Sequence, residues 1–405
     1  MATKSTPIPL SLQTSHDSKG NSLQTPTSES HLTPPVTPIG KSSGAEHSIP
    51  IPLSSTDTSS GLSKRSILLR FTDDLEACTD GSNRRIEYGR GAWSIVYKAR
   101  STPGTSILTA INTPPSSPTA KSRVYAVKAP LRKDAYPVLH SEALTLTRLS
   151  STPGCENCVV PFHGYHTDTS ALVMSAVPLA LSTYIEDQAD MNRKRGPCTA
   201  TMFDPIQGPA AWRDLARKLI SGLEWLHKSA GIIHGDIKPH NLLLRPVVQV
   251  TDTNLDANAE PLAFPYEPLF ADFSSALDLQ TNPSDEKSHT SMSAFTPPFT
   301  APELLSLASL TSGDVAPTPA SDVFSLAATL VAAATGDLLL YPGSSNMQRL
   351  AMAREGHRIL EFTRCGANGA RVPRNGFVER LMQPAVAKDP AQRIDTSEWV
   401  ELASV

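Results

Sequence analysis

The stretch HGDIKPHN, residues 234 to 241, places an acid, a base and an amide close together as Asp236, Lys238 and Asn241. Two isoleucines come directly before it, as in a short buried strand. Pro239 disfavours a regular helix here, because proline lacks a backbone N–H and clashes with the preceding turn. We therefore expect a rigid polar loop after a short strand.

The side chains of this loop suit phosphoryl transfer. Asp236 can orient a hydroxyl nucleophile and accept its proton. Lys238 can neutralise charge on a transferring phosphoryl group, and the amide oxygen of Asn241 can bind Mg²⁺. Further on, the stretch LFADFS, residues 269–274, places Asp272 at the end of an apolar strand, where it offers a second hard oxygen ligand. Any one of these residues is more often a surface residue or a helix cap, but their order and context together favour a site.

Two features upstream fit the same chemistry. In GRGAWSIV, Gly89 and Gly91 would let the backbone approach a bulky anion closely, although such a pair is weak evidence alone. Lys128 lies in an apolar strand, where an ammonium group needs a charged partner. Glu142, in the next predicted helix, is the available carboxylate. The alternative is a solvent-facing lysine on an alternating strand.

Together these motifs resemble those of the eukaryotic protein kinases over residues 67–405, and they occur in that family's order. The matching segments are the glycine loop Gly89–Val96, the strand motif Tyr125–Lys128, the catalytic loop His234–Asn241, the metal motif Asp272–Ser274, the APE motif Ala301–Glu303, the helix residue Asp322 and the late Arg393. The resemblance implies an α+β, bilobal kinase fold. Its N-lobe would be small and β-rich with one main helix, and its C-lobe larger and helical.

The resemblance also implies a role for each matching residue. Lys128 would bind the α- and β-phosphates of ATP while paired to Glu142. Asp236 would be the catalytic base, and Lys238 would meet the γ-phosphate. The residues implied to contact ATP are Gly89, Gly91, Val96, Ala126, Lys128, the gatekeeper Met174 and, in the hinge, Ala176. The implied Mg²⁺ ligands are Asn241 and Asp272, and the implied structural ion pair joins Glu303 and Arg393.

Residue types near the loop indicate the acceptor. Lysine two places after Asp236 is the serine/threonine pattern of this family, and Thr296 before the APE motif agrees with it. Protein substrates with Ser/Thr hydroxyls are thus expected. One alternative is a pseudokinase or scaffold without turnover, but such proteins typically lose one of Lys128, Asp236 and Asp272. Another is a small-molecule acceptor, which the APE-type segment argues against.

The chain departs from the family at three places. Ser94 replaces the third glycine of the loop, and Ser274 ends the metal motif, which predicts a less mobile Asp272. Gly235 stands where the family usually has an arginine that binds an activation-segment phosphate. We therefore expect activity that does not depend strictly on phosphorylating the activation segment. The hydroxyls concerned are Ser288, Thr290, Ser291, Ser293 and Thr296.

The pattern along the chain predicts the organisation. Residues 1–65 are rich in Ser, Thr and Pro and read as a disordered tail. Residues 66–405 form the predicted kinase domain, with the N-lobe at about 67–176 and the C-lobe at about 177–405. Strands are expected within 84–100, at 124–130 and at 171–177, helices at 141–149 and around 212–226, and loop-like inserts at 101–121, 186–209 and 246–267. The apolar face of the first helix is expected to carry Leu144, Leu146 and Leu149.

The tail contains Thr25-Pro26, Thr33-Pro34 and Thr37-Pro38. Proline-directed kinases are one expected partner for these pairs. The alternative is that Thr-Pro pairs arise by chance in any segment of this composition.

Composition excludes several classes of protein. With 36 Lys+Arg and 39 Asp+Glu, the net charge of −3 argues against a nucleic-acid-coating or polybasic membrane protein. No apolar run approaches the roughly 20 residues that a membrane span needs. The N-terminus has no secretion pattern. Five scattered cysteines, including a lone Cys155–Cys158 pair, favour reduced thiols over a metal site, and a cytoplasmic or nuclear protein.

Overall fold

A computed structural model describes residues 67–91, 93–102, 123–196, 198–247, 264–279, 296–306, 316–343 and 345–405. The predicted tail at 1–65 lies outside the described residues, and so does most of the inserts at 101–121 and 246–267. Four of the activation-segment hydroxyls, Ser288, Thr290, Ser291 and Ser293, lie outside them too.

The N-terminal part is a curled antiparallel sheet of six strands. Its strands are β1 (Asp74–Ala77), β2 (Glu87–Arg90), β3 (Ser94–Thr102), β4 (Val124–Pro130), β5 (Phe162–His166) and β6 (Ala171–Ser175). The order is β1-β3-β4-β6-β5, with β2 also paired to β3. The most apolar strands, β4 and β6, lie side by side within the sheet, because their apolar side chains can be covered on both faces there.

One long helix, α1 (Tyr136–Ser150), packs against this sheet. It begins five residues before the predicted 141–149, because Pro137 is tolerated in the first turn of a helix. Its buried face carries Leu146 and Leu149 as expected, together with Leu139. Leu144, which we also expected on that face, is 38% exposed, because it is two positions from Leu146 and thus far round the helix.

The C-terminal part is helical. Its helices are α2 (Leu181–Arg195), α3 (Pro209–Glu224), α4 (Pro319–Thr335), α5 (Asn346–Arg354), α6 (Ile359–Arg364), α7 (Phe377–Met382) and α8 (Thr396–Ala403). Helix α4 is buried from Ser321 to its last residue, as its apolar composition predicts. A single turn of π-helix, Trp225–Ser229, extends α3, and Gly231 at φ +65° then ends it.

The short strands of the C-terminal part carry the loops of interest. Strand β7 (Ile232–Ile233) pairs antiparallel with β10 (Leu277–Asp278). Strand β8 (Leu242–Pro246) pairs antiparallel with β9 (Tyr266–Phe270). The polar stretch 234–241 therefore lies between β7 and β8, and Asp272 follows β9. The two pairings bring both segments together.

The predicted loop at 186–209 was wrong in its first half, because α2 continues to Arg195. The sequence of 186–195, EDQADMNRKR, is polar, but most of its residue types favour helix. The buried positions of α2 are confined to its first turn and a half, at Leu181, Ser182 and Ile185. The second half lacks an apolar period because it faces solvent.

Two absences concern the described part of the chain. None of its helices is long and apolar enough to cross a bilayer. All five cysteines are free, and within the described ranges no cluster of three or more His, Cys, Asp and Glu surrounds Cys155 and Cys158. Burial raises the pKa of the Cys155 thiol to about 11 and that of Cys158 to about 12, as expected of inert structural thiols.

Candidate active site

Lys128 lies at the centre of a three-residue charge cluster beneath the sheet. Its side chain projects from β4 and is almost fully buried. The Nζ atom donates to Glu142 Oε1 at 2.9 Å and Oε2 at 2.7 Å. It also donates to Asp272 Oδ1 at 2.7 Å. A strand, a helix and the segment after β9 thus meet at one ammonium group.

The cluster holds one cation and two carboxylates, and this imbalance sets their pKa values. Burial alone would lower the pKa of Lys128, but the carboxylates of Asp272 and Glu142 outweigh it and raise that pKa above its usual range. Burial opposes ionisation of Asp272, yet contact with Lys128 brings its pKa well below normal. For Glu142 burial prevails over the attraction of Lys128 and raises the pKa to about 7. Lys128 and Asp272 therefore remain charged.

Asp272 is held in an unusual backbone conformation, with φ +64° and ψ +73°. Aspartate tolerates this left-handed region better than most residues, and such conformations concentrate at functional sites. The hydroxyl of Ser274 donates to Asp272 Oδ1 at 2.7 Å, and the backbone N–H of Phe273 donates to Glu142 Oε1 at 3.2 Å. Both bonds restrain the segment. That Ser274 makes Asp272 less mobile stays a prediction.

Asp236 lies at the centre of a second polar group. Lys238 Nζ donates to Asp236 Oδ2 at 2.6 Å and to Thr296 Oγ1 at 3.1 Å. Asn241 Nδ2 donates to the Asp236 carbonyl oxygen at 2.8 Å and to its Oδ2 at 3.0 Å. Burial, opposed by the charge of Lys238, raises the pKa of Asp236 to about 6. The pKa of this carboxyl group therefore lies close to neutral pH, which suits a general base.

The backbone of this loop is supported from below by Asp322 of α4. Its carboxylate accepts the N–H of His234 at 2.7 Å and the N–H of Gly235 at 3.0 Å, and it contacts His227 Nε2 at 3.1 Å. The ring of His234 contacts the carbonyl oxygen of Ala271 at 3.1 Å. The loop and the segment that carries Asp272 are thus fixed to each other and to the buried helix.

Gly235 has φ +80°, in the left-handed region that favours glycine. A Cβ atom there would lie 2.5 Å from the carbonyl oxygen of Ser275. The absence of a side chain at this position is therefore a steric requirement of the loop. The sequence offered only a comparison with the family's usual arginine.

The predicted ion pair between Glu303 and Arg393 is bidentate, with N–O distances of 2.8 and 2.7 Å. Arg393 also donates to the carbonyl oxygens of Ala320 at 2.8 Å and Ala387 at 3.1 Å. Its side chain is completely buried, so a buried charge is fully paired here. This network anchors the segment that follows Thr296.

The implied nucleotide contacts lie around Lys128. Val96 pairs with Lys128 across β3 and β4, and Ala126 pairs with Met174 across β4 and β6. Ala176 follows β6 directly. A Cβ added at Gly89 would meet no atom of the described residues within 4 Å, so they do not crowd the backbone at this position.

Comparison with known proteins agrees with this geometry. A family model described as Protein kinase domain matches residues 119–402. The chain is a member of the protein kinase family. The match begins after β1–β3, although the kinase sheet in this chain begins at Asp74.

Three curated kinases align with part of the chain. Serine/threonine-protein kinase PknK from two strains of Mycobacterium tuberculosis is 38% identical over 132 residues, which is 32% of this chain. The same protein from Mycobacterium bovis is 37% identical over 132 residues. The aligned region spans only 9% of the length of these relatives.

The structure brings the sequence-predicted residues into two adjacent groups. Lys128, Glu142 and Asp272 form one, and the other consists of Asp236, Lys238 and Asn241. Their catalytic roles stay predictions. Sequence reasoning missed the supporting His227 and also Arg148, a residue of α1 whose contacts are described below. Neither residue belongs to a motif that the sequence analysis used, so the sequence carried no signal for them.

Proposed function

We propose that the chain is an ATP-dependent protein serine/threonine kinase, with residues 66–405 as its catalytic domain. It would transfer the γ-phosphate of Mg-ATP to Ser/Thr hydroxyls of protein substrates. The observation that carries this proposal is the bonding of Lys128 to both Glu142 and Asp272 beside the Asp236 group. Inactive relatives typically lose one of these charges, and here each has its partner.

The donor set suits magnesium. Asp272 and Asn241 offer hard oxygen atoms, and the Asn241 amide nitrogen is committed to Asp236, which leaves its oxygen for a cation. Two protein ligands are enough, because Mg²⁺ in kinases takes its remaining ligands from phosphate oxygens and water. When bound, the ion would neutralise charge on the phosphates. Lys128, kept protonated by its carboxylate neighbours, would bind the α- and β-phosphates.

The chain's own residues account for the remaining steps. Asp236 would accept a hydrogen bond from the acceptor hydroxyl, orient it and take its proton. Lys238 would contact the transferring phosphoryl group, since its ammonium already lies between Asp236 and Thr296. Its bond to Thr296 would also connect the catalytic loop to the segment that contains the APE motif. Positioning and charge stabilisation would supply most of the rate enhancement.

A peptide array tests the activity and its specificity. Purified protein with labelled ATP and Mg²⁺ should label Ser/Thr peptides, with phosphoserine and phosphothreonine as products. Lys128→Met should label far less, because it removes the ammonium group that would bind the ATP phosphates. It also leaves Glu142 and Asp272 as neighbouring carboxylates without their shared cation. Lys228→Met, which removes an exposed lysine paired with Asp395, is the control and should label normally. Equal labelling by wild type and Lys128→Met would refute the proposal.

A further inference from the structure

Arg148, in the last turn of α1, joins that helix to two elements beside the catalytic loop. Its Nη1 atom contacts Asp278 Oδ2 in β10. Its Nη2 atom donates to the carbonyl oxygen of Ala230, just before β7, at 2.8 Å. The side chains of Arg148 and Asp278 are only 23% and 26% exposed. One guanidinium therefore bridges the two parts of the domain.

This contact gives α1 a second attachment to the segment that follows Asp272. Glu142 accepts the N–H of Phe273 at 3.2 Å, and Arg148 contacts Asp278. The two attachment points lie about 9 Å apart along the helix axis, at ~1.5 Å per residue. A single attachment would allow the helix to pivot, whereas two fix its rotation and its distance from Lys128. Outward movement of α1 would have to break both.

The same contact extends to the catalytic loop. Asp278 pairs with Ile232, and the N–H of Leu279 donates to the carbonyl oxygen of Gly231 at 2.9 Å. The loop begins at His234, directly after this short sheet. Arg148 thus anchors α1 to the strand pair from which the catalytic loop departs. Gly235, which carries no side chain, cannot supply such an anchor.

We propose that Arg148 is a positioning residue for phosphoryl transfer. Its ion pair with Asp278 holds α1 where Glu142 reaches Lys128. In relatives with arginine at the position of Gly235, an activation-segment phosphate serves to order the site. Here the carboxylate of Asp278 pairs with Arg148 and links α1 to the strand pair before the catalytic loop. This position of α1 is therefore available without phosphorylation. The inference rests on the proposed kinase activity.

Hydrogen exchange combined with kinetics tests this inference. In Arg148→Met, backbone amides of α1 should exchange faster, and kcat/KM for ATP should fall about tenfold, as expected for one partly buried charged hydrogen-bonding group. Asp278→Asn should act in the same direction. If the two residues act through their contact, the double variant should lose little more than Arg148→Met alone. Arg358→Met, which breaks an exposed ion pair with Glu361, is the matched control.

The outcomes separate this inference from the proposed function. If wild type transfers phosphate but Arg148→Met matches Arg358→Met in both readouts, Arg148 has no positioning role. If wild type transfers no phosphate but α1 still exchanges faster in Arg148→Met, the kinase activity is refuted while the anchoring of α1 stands. Should Arg148→Met fail to fold, Arg148→Lys keeps the charge without the two-pronged geometry. It should give intermediate exchange in α1, and wild-type exchange would overturn the inference.

Discussion

Replacing Gly235 with alanine should destabilise the protein for two reasons. The residue has φ +80°, which L-residues with a side chain rarely adopt. Its added Cβ would lie 2.5 Å from the carbonyl oxygen of Ser275 and 3.3 Å from Cγ of Pro317. The closer atom belongs to the backbone, three residues after Asp272, so it cannot rotate away. The segment that carries Asp272 would have to shift.

The magnitude follows from these two terms. The left-handed backbone costs a residue with a Cβ about 1–2 kcal/mol. Forcing an extra methyl group into a filled site costs about 1–3 kcal/mol more. Gly81→Ala is the control, because Gly81 lies outside the left-handed region and an added Cβ there meets no atom of the described residues within 4 Å. Gly235→Ala should therefore lower the free energy of unfolding by about 2–5 kcal/mol more than Gly81→Ala does.

Urea unfolding followed by tryptophan fluorescence measures this difference, with phosphotransfer assayed on the same samples. Gly235→Ala should show the lower midpoint and reduced activity, and Gly81→Ala should keep its activity. Gly235→Arg should be destabilised in the same way, because its Cβ meets the same carbonyl oxygen. Equal midpoints for Gly235→Ala and Gly81→Ala would show that the steric argument is mistaken.

Three further variants test separate parts of the structure. Asp322→Ala removes the acceptor of two backbone N–H groups of the catalytic loop. The free energy of unfolding in urea should fall by about 3 kcal/mol or more. A fall within experimental error would show that Asp322 does not support the loop. Arg132→Met removes a guanidinium whose carbon lies 4.4 Å from the centre of the Trp93 ring, within the glycine loop. KM for ATP should therefore rise about two- to fivefold with kcat nearly unchanged. An unchanged KM would exclude this contact as a restraint on the loop. Burial lowers the pKa of His234 below its usual value of about 6.5, so the unfolded state binds the proton more readily and stability should fall as pH drops through that range. The difference in free energy of unfolding between wild type and His234→Phe should therefore become smaller as the pH falls from about 7.5 to about 5.5. A constant difference would show that His234 does not cause the loss of stability at low pH.

The sequence predicted those parts of the fold in which local pattern and burial agree. Strand β4 has the bounds that were expected, because all of its residues except Lys128 are apolar or aromatic. Lys128 and Glu142 form the expected ion pair, since a buried ammonium requires a carboxylate. The polar half of α2 was missed, because helix propensity without an apolar period resembles a loop.

Other features depend on long-range contacts and leave no local pattern. Arg148 is 130 positions from Asp278 in sequence, and His227 is 95 positions from Asp322. The packing of α1, the pairing of β7 with β10 and the burial of α4 bring these residues together. For Gly235 the sequence could compare residue types, but the contact with Ser275 that excludes a side chain is visible only in three dimensions.

The central claim is that the Asp236 and Lys128 groups form a working phosphotransfer site. Its most direct test compares the rates of phosphate transfer by wild type and Asp236→Asn at saturating Mg-ATP. The control is Asp395→Asn, which changes an exposed ion pair. Wild type and the control should transfer phosphate at equal rates, and Asp236→Asn should be slower by about 10²-fold or more, as for loss of a general base. Wild type that binds ATP but transfers phosphate no faster than Asp236→Asn would contradict the account and identify a pseudokinase.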